Sequence, residues 1–215
     1  MARRSIVLGA GMVGVSVAWH LAQRGHEVTL VDRREPGQET SFGNAGIIQR
    51  EAVRPYPFPR DMKTLLGVLP NHRVDIRYRP GGMIHAASPL LRYWQSSAPR
   101  TYQRIVPEYA SLIQLCLDTH APMIEAAGAE KLIRKQGFLE LFRSVARLEQ
   151  RLEEAKEGQA RFGVAFQHLD RTALAVKEPD ISDDIMGAIH WLDPWTVSDP
   201  GALVAAYAKA FQASG

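Results

Sequence analysis

Gly9, Gly11 and Gly14 are spaced G-x-G-x-x-G within Gly9-Ala10-Gly11-Met12-Val13-Gly14, and the chemistry they suit is phosphate binding. Gly9 permits a tight turn out of a strand. Gly11 has no side chain, so a pyrophosphate can approach its backbone. Gly14 lets a helix pack closely on that strand. Asp32 follows 18 residues after Gly14, where a carboxylate can accept hydrogen bonds from adenosine ribose hydroxyls. A negative charge there also disfavours the extra phosphate of NADP, an effect that Arg33 and Arg34 soften. The competing interpretation is a glycine-rich turn that holds no ligand.

These residues need particular elements to position them. Arg4–Leu8 (RSIVL) is β-branched, apolar and stopped by glycine, which predicts a short buried strand. A helical pattern runs from Met12 to Arg24. Val13, Val17 and Leu21 form one stripe, and Gly14, Ala18 and Ala22 form a neighbouring stripe of small residues suited to packing on a sheet. The start of that helix offers free N–H groups and a positive dipole end to phosphates. Gly25 is placed to end the helix. Glu27–Val31 alternates into a second strand that delivers Asp32 at its tip.

A nicotinamide-binding domain would continue into another helix and a third strand close behind Asp32. Here the chain reads Glu39-Thr40-Ser41-Phe42-Gly43-Asn44-Ala45-Gly46-Ile47-Ile48, a small, polar segment without helical or strand periodicity. Such a loop can lay backbone N–H groups and the Ser41 and Asn44 side chains along a long cofactor, which favours FAD over NAD. The candidate cofactor-binding residues are Gly9, Gly11, Met12, Val13, Gly14, Asp32, Arg33, Thr40, Ser41, Asn44, Ala45 and Gly46.

The segments 9–33 (GAGMVGVSVAWHLAQRGHEVTLVDR), 39–46 (ETSFGNAG), 134–143 (RKQGFLELFR) and 191–211 (WLDPWTVSDPGALVAAYAKAF) resemble the D-amino-acid oxidase-like flavoprotein superfamily. Within it, the likeness is to the small subunit of D-amino-acid dehydrogenases, and it thins over residues 50–80. The resemblance implies an α/β chain, α+β overall. A partial FAD-binding Rossmann-like βαβ domain would span residues 1–50. An antiparallel-sheet-plus-helices substrate domain would span 51–198, and a helix at 199–215 would return to the FAD domain. It implies oxidation of the C–N bond of an amino acid or other amine by hydride transfer to flavin, with electrons leaving to a quinone, another carrier or oxygen. It also implies a cytoplasmic enzyme, held peripherally at the inner face of the cytoplasmic membrane. The likeness extends only to the N-terminal half of such an enzyme. The expected alternatives are a truncated fragment inactive alone, one subunit of a split flavoenzyme that needs a complementary C-terminal chain, or an NAD-dependent oxidoreductase.

Further along, Arg54–Pro59 (RPYPFP) reads as an extended loop and Val74–Arg79 as a strand with one polar face. Pro89–Ser97 reads as a short amphipathic helix. Residues 101–127 carry a long helical pattern in which Ile105, Tyr109, Leu112, Cys116, Met123 and Ile124 share a face, kinked or divided by Pro107 and Pro122. Lys131–Arg134 and Gly137–Phe142 read as two strands of one antiparallel sheet. Ser144 is placed to cap a charged helix over Val145–Arg161. Phe166–Leu169 and Met186–Leu192 are strand candidates, Asp170–Lys177 is a short helix, and Pro200 opens a last helix to Ala213.

Composition closes off several other functions. The 215 residues are 46% apolar and carry 26 Lys and Arg against 23 Asp and Glu, a net charge of +3 with no block of five or more like charges. That argues against nucleic-acid binding and against disorder. A single cysteine, Cys116, excludes an internal disulfide framework and multi-cysteine metal sites. It reads as a core residue rather than a point of flavin attachment. The seven histidines show no helix-face metal spacing, so no metal is expected. No run of 18 apolar residues is present. Arg3-Arg4 before an apolar run admits an export signal, but the glycine fingerprint reads better as a core strand and helix. An amino-acid substrate calls for a cation on its carboxylate, and Arg50, Arg54, Arg77 and Arg79 qualify by position alone. Trp191 and Trp195 read as packing at a strand end, or as an aromatic wall over substrate or flavin.

Overall fold

Strand β1 (Arg4–Leu8) and strand β2 (Glu27–Val31) pair in parallel, joined by helix α1 (Met12–Gln23), in the computed structural model, which describes residues 3–72, 74 and 76–214. The register sets Ile6 opposite Thr29 and Leu8 opposite Val31. Side chains alternate across a strand, so Val7 and Leu30 share the other face, against which α1 lies. Arg24 ends the helix and Gly25, at φ +79°, turns the chain back into β2.

Two compact units are present: residues 1–51 with 113–215, and residues 52–112. In the first, Val15 and Trp19 of α1 are buried against helices α5 (Cys116–Ala127) and α8 (Pro200–Ala213), and Ala18 is buried as well. Leu203, Val204 and Tyr207 of α8 and Met123 and Ile124 of α5 complete that core. Pro200 opens α8 behind the Asp199 carboxylate, which accepts from Ala202 N, so the last helix forms as its sequence dictates.

Two antiparallel sheets complete the first unit. Strand β3 (Ile47–Ile48) and strand β4 (Ile133–Arg134) flank β8 (Trp195–Val197). Strands β5 (Phe138–Phe142) and β6 (Phe166–Asp170) flank β7 (Gly187–Trp191). All five residues of β7 are buried, as a central strand requires. Helix α6 (Val145–Phe162) packs on the second sheet, and α7 (Arg171–Lys177) opens behind Asp170, whose carboxylate accepts from Ala173 N. Parallel βαβ and antiparallel sheets in one chain match the mixed class expected from the sequence.

The second unit holds α2 (Met62–Val68), α3 (Pro80–Ser96) and α4 (Pro99–Ile113, whose last residue falls in the first unit). The loop at 54–59 forms neither helix nor strand and is fastened by Tyr93 and Tyr102, whose hydroxyls donate to Tyr56 O and Pro55 O.

Several expectations need correcting. No strand forms among the described residues of 74–79, and Asp75 lies outside them. Asn71 instead clasps Tyr78 through two hydrogen bonds that close a turn. Helix α3 begins at Pro80, nine residues before the expected start, because proline suits the first turn of a helix as well as it breaks an interior. The long helix does divide, but at residues 114–115; Pro107 and Pro122 both lie inside helices. On α4 the buried positions are Val106 and Ala110, while Leu112 is exposed. Residues 133–134 and 138–142 enter different sheets rather than one. Ser144 occupies the N-cap of α6 without a side-chain cap bond. Ile47–Ile48, at the end of the segment read as aperiodic, is a two-residue strand, because Thr196 and Trp195 across from it supply its register.

Candidate functional site

The fingerprint turn is built as its glycines require. Gly9 adopts φ +101° and its N–H donates to Val31 O at 2.7 Å, which ties the ends of β1 and β2 together. A Cβ on Gly14 would lie 1.7 Å from the Gly9 carbonyl oxygen and 3.6 Å from Val7 Cγ1. Only glycine lets α1 sit this close to the turn. Gly11 is the N-cap of α1 and has no side chain to cap it. That cap comes from 29 residues downstream, where Ser41 Oγ accepts from Met12 N at 3.0 Å.

Asp32 stands exposed at the tip of β2. One carboxylate oxygen accepts from Ala10 N at 2.5 Å and the other from Arg34 N at 3.2 Å. These backbone N–H groups, Ala10 first, hold its carboxyl below the usual range, so it is an anion at neutral pH. Each oxygen keeps a free lone pair, enough to receive hydroxyl donors as well.

The loop after β2 folds back over the start of α1. Gly37 N donates to Ala10 O at 3.0 Å. Arg33 and Arg34 both pair with Glu39. Thr40 and Ala45 are exposed. Asn44 Oδ1 accepts from Gly46 N at 2.8 Å, and Gly46 O accepts from Val197 N at 2.7 Å, which carries the loop into the β3–β8 pairing. Gly46 has φ +63°, and a Cβ there would meet Val197 O at 2.5 Å. Of the sequence candidates, the structure thus gathers Gly9, Gly11, Met12, Gly14, Asp32 and Ser41 around one turn. The Val13 side chain is exposed, and Met12 packs on the core. Ser41→Ala should cost about 1 kcal/mol of stability, the typical loss of an N-cap, read by urea denaturation. An unchanged midpoint would mean that Met12 N–H needs no protein acceptor.

A backbone cradle opening on a helix N-terminus, with a carboxylate at the end of the next strand, fits an adenine dinucleotide such as FAD. The match of the FAD dependent oxidoreductase (DAO) family model over residues 4–215 decides the family. The chain belongs to it. Its cofactor is therefore FAD, and the NAD alternative falls away. A D-amino acid dehydrogenase of Neisseria meningitidis (strain FAM18) is 30% identical over 86% of this chain and 45% of its own length. A D-amino-acid oxidase of Bradyrhizobium diazoefficiens is 31% identical over 99% of this chain and 51% of its own. The chain spans about half the length of the curated relatives it matches. Among solved structures, glycine oxidase from Bacillus cereus superposes with a TM-score of 0.56 at 21% identity, over 100% of this chain and 45% of its own. L-alpha-glycerophosphate oxidase from Mycoplasma pneumoniae, solved with FAD bound, gives 0.58 at 18%, over 100% and 43%.

The substrate-side candidates separate. Arg50 is half-buried and donates from Nη1 to Asp193 Oδ2 at 3.2 Å, while the same oxygen accepts from Ala165 N at 2.9 Å. Arg54, Arg77 and Arg79 belong to the second unit. Trp191 is buried, and its Nε1–H donates to Glu140 Oε2 at 2.9 Å, so it packs at the strand end. Trp195 carries Lys135 Nζ 4.2 Å from its ring centroid. Cys116 is partly buried, and burial pushes its thiol up, away from the reactive thiolate. The network in which Arg151 bridges Glu140 and Glu154 beneath Trp191 was not visible in the sequence. Its partners lie on β5, β7 and α6, and only the i, i+3 spacing of Arg151 and Glu154 is local. Buried Glu51, whose carboxyl burial pushes up, accepts from Gln49 Nε2 at 2.9 Å. Among the described residues no cluster of His, Cys, Asp and Glu could hold a metal, and no helix is long and apolar enough to cross a membrane.

Proposed function

We propose that this chain is the FAD-holding half of an enzyme that oxidises the C–N bond of an amino acid, of the D-amino-acid dehydrogenase kind. The observation that carries the reading is the Gly9–Gly14 cradle closed by Asp32 and Ser41, in a chain about 30% identical to D-amino acid dehydrogenases. When bound, flavin accepts the electron pair removed from the substrate, and the protein supplies binding, orientation and electrostatics. In this reading the N–H groups at the start of α1 receive the pyrophosphate, and Asp32 accepts from ribose hydroxyls. Arg33, Thr40, Asn44, Ala45 and Gly46 line the path of the remaining cofactor. Residues 1–50 begin the FAD domain, 51–198 contribute to the substrate domain, and 199–215 return to the FAD domain.

Electrons pass on to a quinone or another carrier, which suits an enzyme resting on the inner face of the cytoplasmic membrane. Since the chain spans about half the length of these relatives, the test supplies the half it does not match as a second polypeptide. The test is to add FAD to the purified chain, desalt it and record its visible spectrum. Retained flavin bands at about 370 and 450 nm, bleached by a D-amino acid once the unmatched half is supplied, are expected. A protein that returns colourless from desalting overturns the FAD-holding role. Retained flavin that L- but not D-amino acids bleach overturns the substrate class.

A further inference from the structure

Two arginines stand directly behind Asp32, and one acid holds both. Arg33 donates to Glu39 Oε1 from Nε at 3.1 Å and from Nη2 at 2.9 Å, and Arg34 Nε lies 3.1 Å from the same oxygen. Glu39 is the most covered of the three: its side chain is 38% exposed, against 78% for Arg33 and 61% for Arg34. The Arg33 charge also reaches Asp32. The N–H groups of Ala10 and Arg34 lower that carboxyl most, and the Arg33 guanidinium adds to the effect. With two cations against two anions, Arg33, Arg34, Asp32 and Glu39 together carry no net charge.

That balance bears on which ribose the cradle admits. In such sites an acid at the end of the second strand accepts from the ribose 2′-hydroxyl, whereas an arginine nearby accommodates a 2′-phosphate. Here both kinds of residue follow one another, so the sequence at 32–34 suits either ribose. A guanidinium fork takes a carboxylate or a phosphate, because both present paired oxygens. In the structure the Arg33 fork already holds a carboxylate, and Arg34 is drawn to the same atom. We infer that Glu39 is a specificity residue of the cofactor cradle: it withholds Arg33 and Arg34 from a 2′-phosphate, leaves Asp32 to repel one, and so selects an unphosphorylated ribose such as that of FAD. The inference rests on the FAD-holding reading above and adds what rejects the phosphorylated ribose. Exposed ion pairs are weak singly, so the selection comes from the negative charge that Glu39 keeps beside the two arginines. Glu39 also helps shape the loop that brings Ser41 to α1, since its carbonyl accepts from Phe42 N at 3.0 Å. That bond is between main-chain groups, so a change of side chain leaves its atoms in place.

The probes are ADP-ribose and 2′-phospho-ADP-ribose, which share adenosine and pyrophosphate and differ by one phosphate. Their affinities for the purified chain are measured by titration calorimetry at low ionic strength, where surface charges are least screened. The wild-type chain should bind ADP-ribose at least about tenfold more tightly than its 2′-phosphate. Glu39→Gln keeps the side-chain length and a hydrogen-bonding oxygen but removes the charge. It should tighten 2′-phospho-ADP-ribose at least about tenfold and leave ADP-ribose within about threefold. Adding Arg33→Ala and Arg34→Ala to Glu39→Gln should abolish that gain. Raising the salt to about 1 M, where the screening length falls to about 3 Å, should shrink it. Four outcomes overturn the proposal while ADP-ribose still binds the wild-type chain: equal wild-type affinity for the two probes, Glu39→Gln discriminating as wild type does, a gain that persists without the arginines, or a variant that weakens both probes together, as a merely loosened loop would. Binding of neither probe overturns the FAD-holding role itself, and this proposal with it.

Discussion

Gly14→Ala should destabilise the chain by about 3 kcal/mol or more and abolish FAD retention. The new methyl would lie 1.7 Å from the Gly9 carbonyl oxygen and 2.8 Å from its carbon. Both are backbone atoms of a turn pinned by the Gly9 N–H to Val31 O bond, so neither can rotate away. Two effects oppose one another. Alanine gains about 1 kcal/mol of helix propensity over glycine. Overpacking costs about 1–3 kcal/mol even where flexible side chains absorb it, and a rigid backbone contact lies at or beyond the top of that range. The clash wins, and α1 must lift from the turn and carry its N–H groups away from the phosphate position. Urea denaturation and flavin retention after desalting check the two halves of this prediction. An alanine variant as stable as wild type would show that α1 can stand off the turn without penalty.

The second large effect is a loss of stability in acid. His120 on α5 meets Tyr207 on α8, with His120 Nδ1 3.0 Å from the Tyr207 hydroxyl and the tyrosine wholly buried. Burial, followed by the nearby charge of His20, pushes His120 down to about 4 from 6.5, and burial pushes the Tyr207 phenol up. The folded protein therefore keeps His120 neutral, while the unfolded chain takes up a proton below about pH 6.5. The unfolded state binds more protons between those two values, so stability rises with pH across that window. The contribution is fully present above about pH 6.5 and is lost as pH falls through about 4. A depression of this size corresponds to about 3 kcal/mol, a substantial part of the roughly 5–15 kcal/mol that holds a domain together. Urea titrations at pH 7 and pH 4.5 should show most of that loss, and His120→Gln should flatten the difference. An unchanged pH profile in the variant would place the acid sensitivity elsewhere.

The sequence by itself determined the elements whose causes are local. The fingerprint, with Asp32 18 residues after Gly14, specifies β1, α1 and β2, because glycine backbone freedom and strand alternation act over a few residues. Pro200 behind Asp199 specifies α8 in the same way, and so does Gly25 after α1. The cofactor class was legible for the same reason. Tertiary structure decided what depends on partners distant in the chain. Ser41 caps α1 across 29 residues, Asp193 holds both Arg50 and Ala165 N, and Glu140 takes the Trp191 indole N–H, none of which leaves a local pattern. Two-residue strands such as Ile47–Ile48 and Ile133–Arg134 exist only because β8 offers them register. Prolines 107 and 122 stay within helices where local chemistry alone would break them, because tertiary packing can outweigh the roughly 3 kcal/mol penalty of a proline in a helix. The bare face of β1 and β2 belongs to the same class. An alternating apolar strand looks identical in sequence whether its second face is covered or open, and only the three-dimensional arrangement shows which.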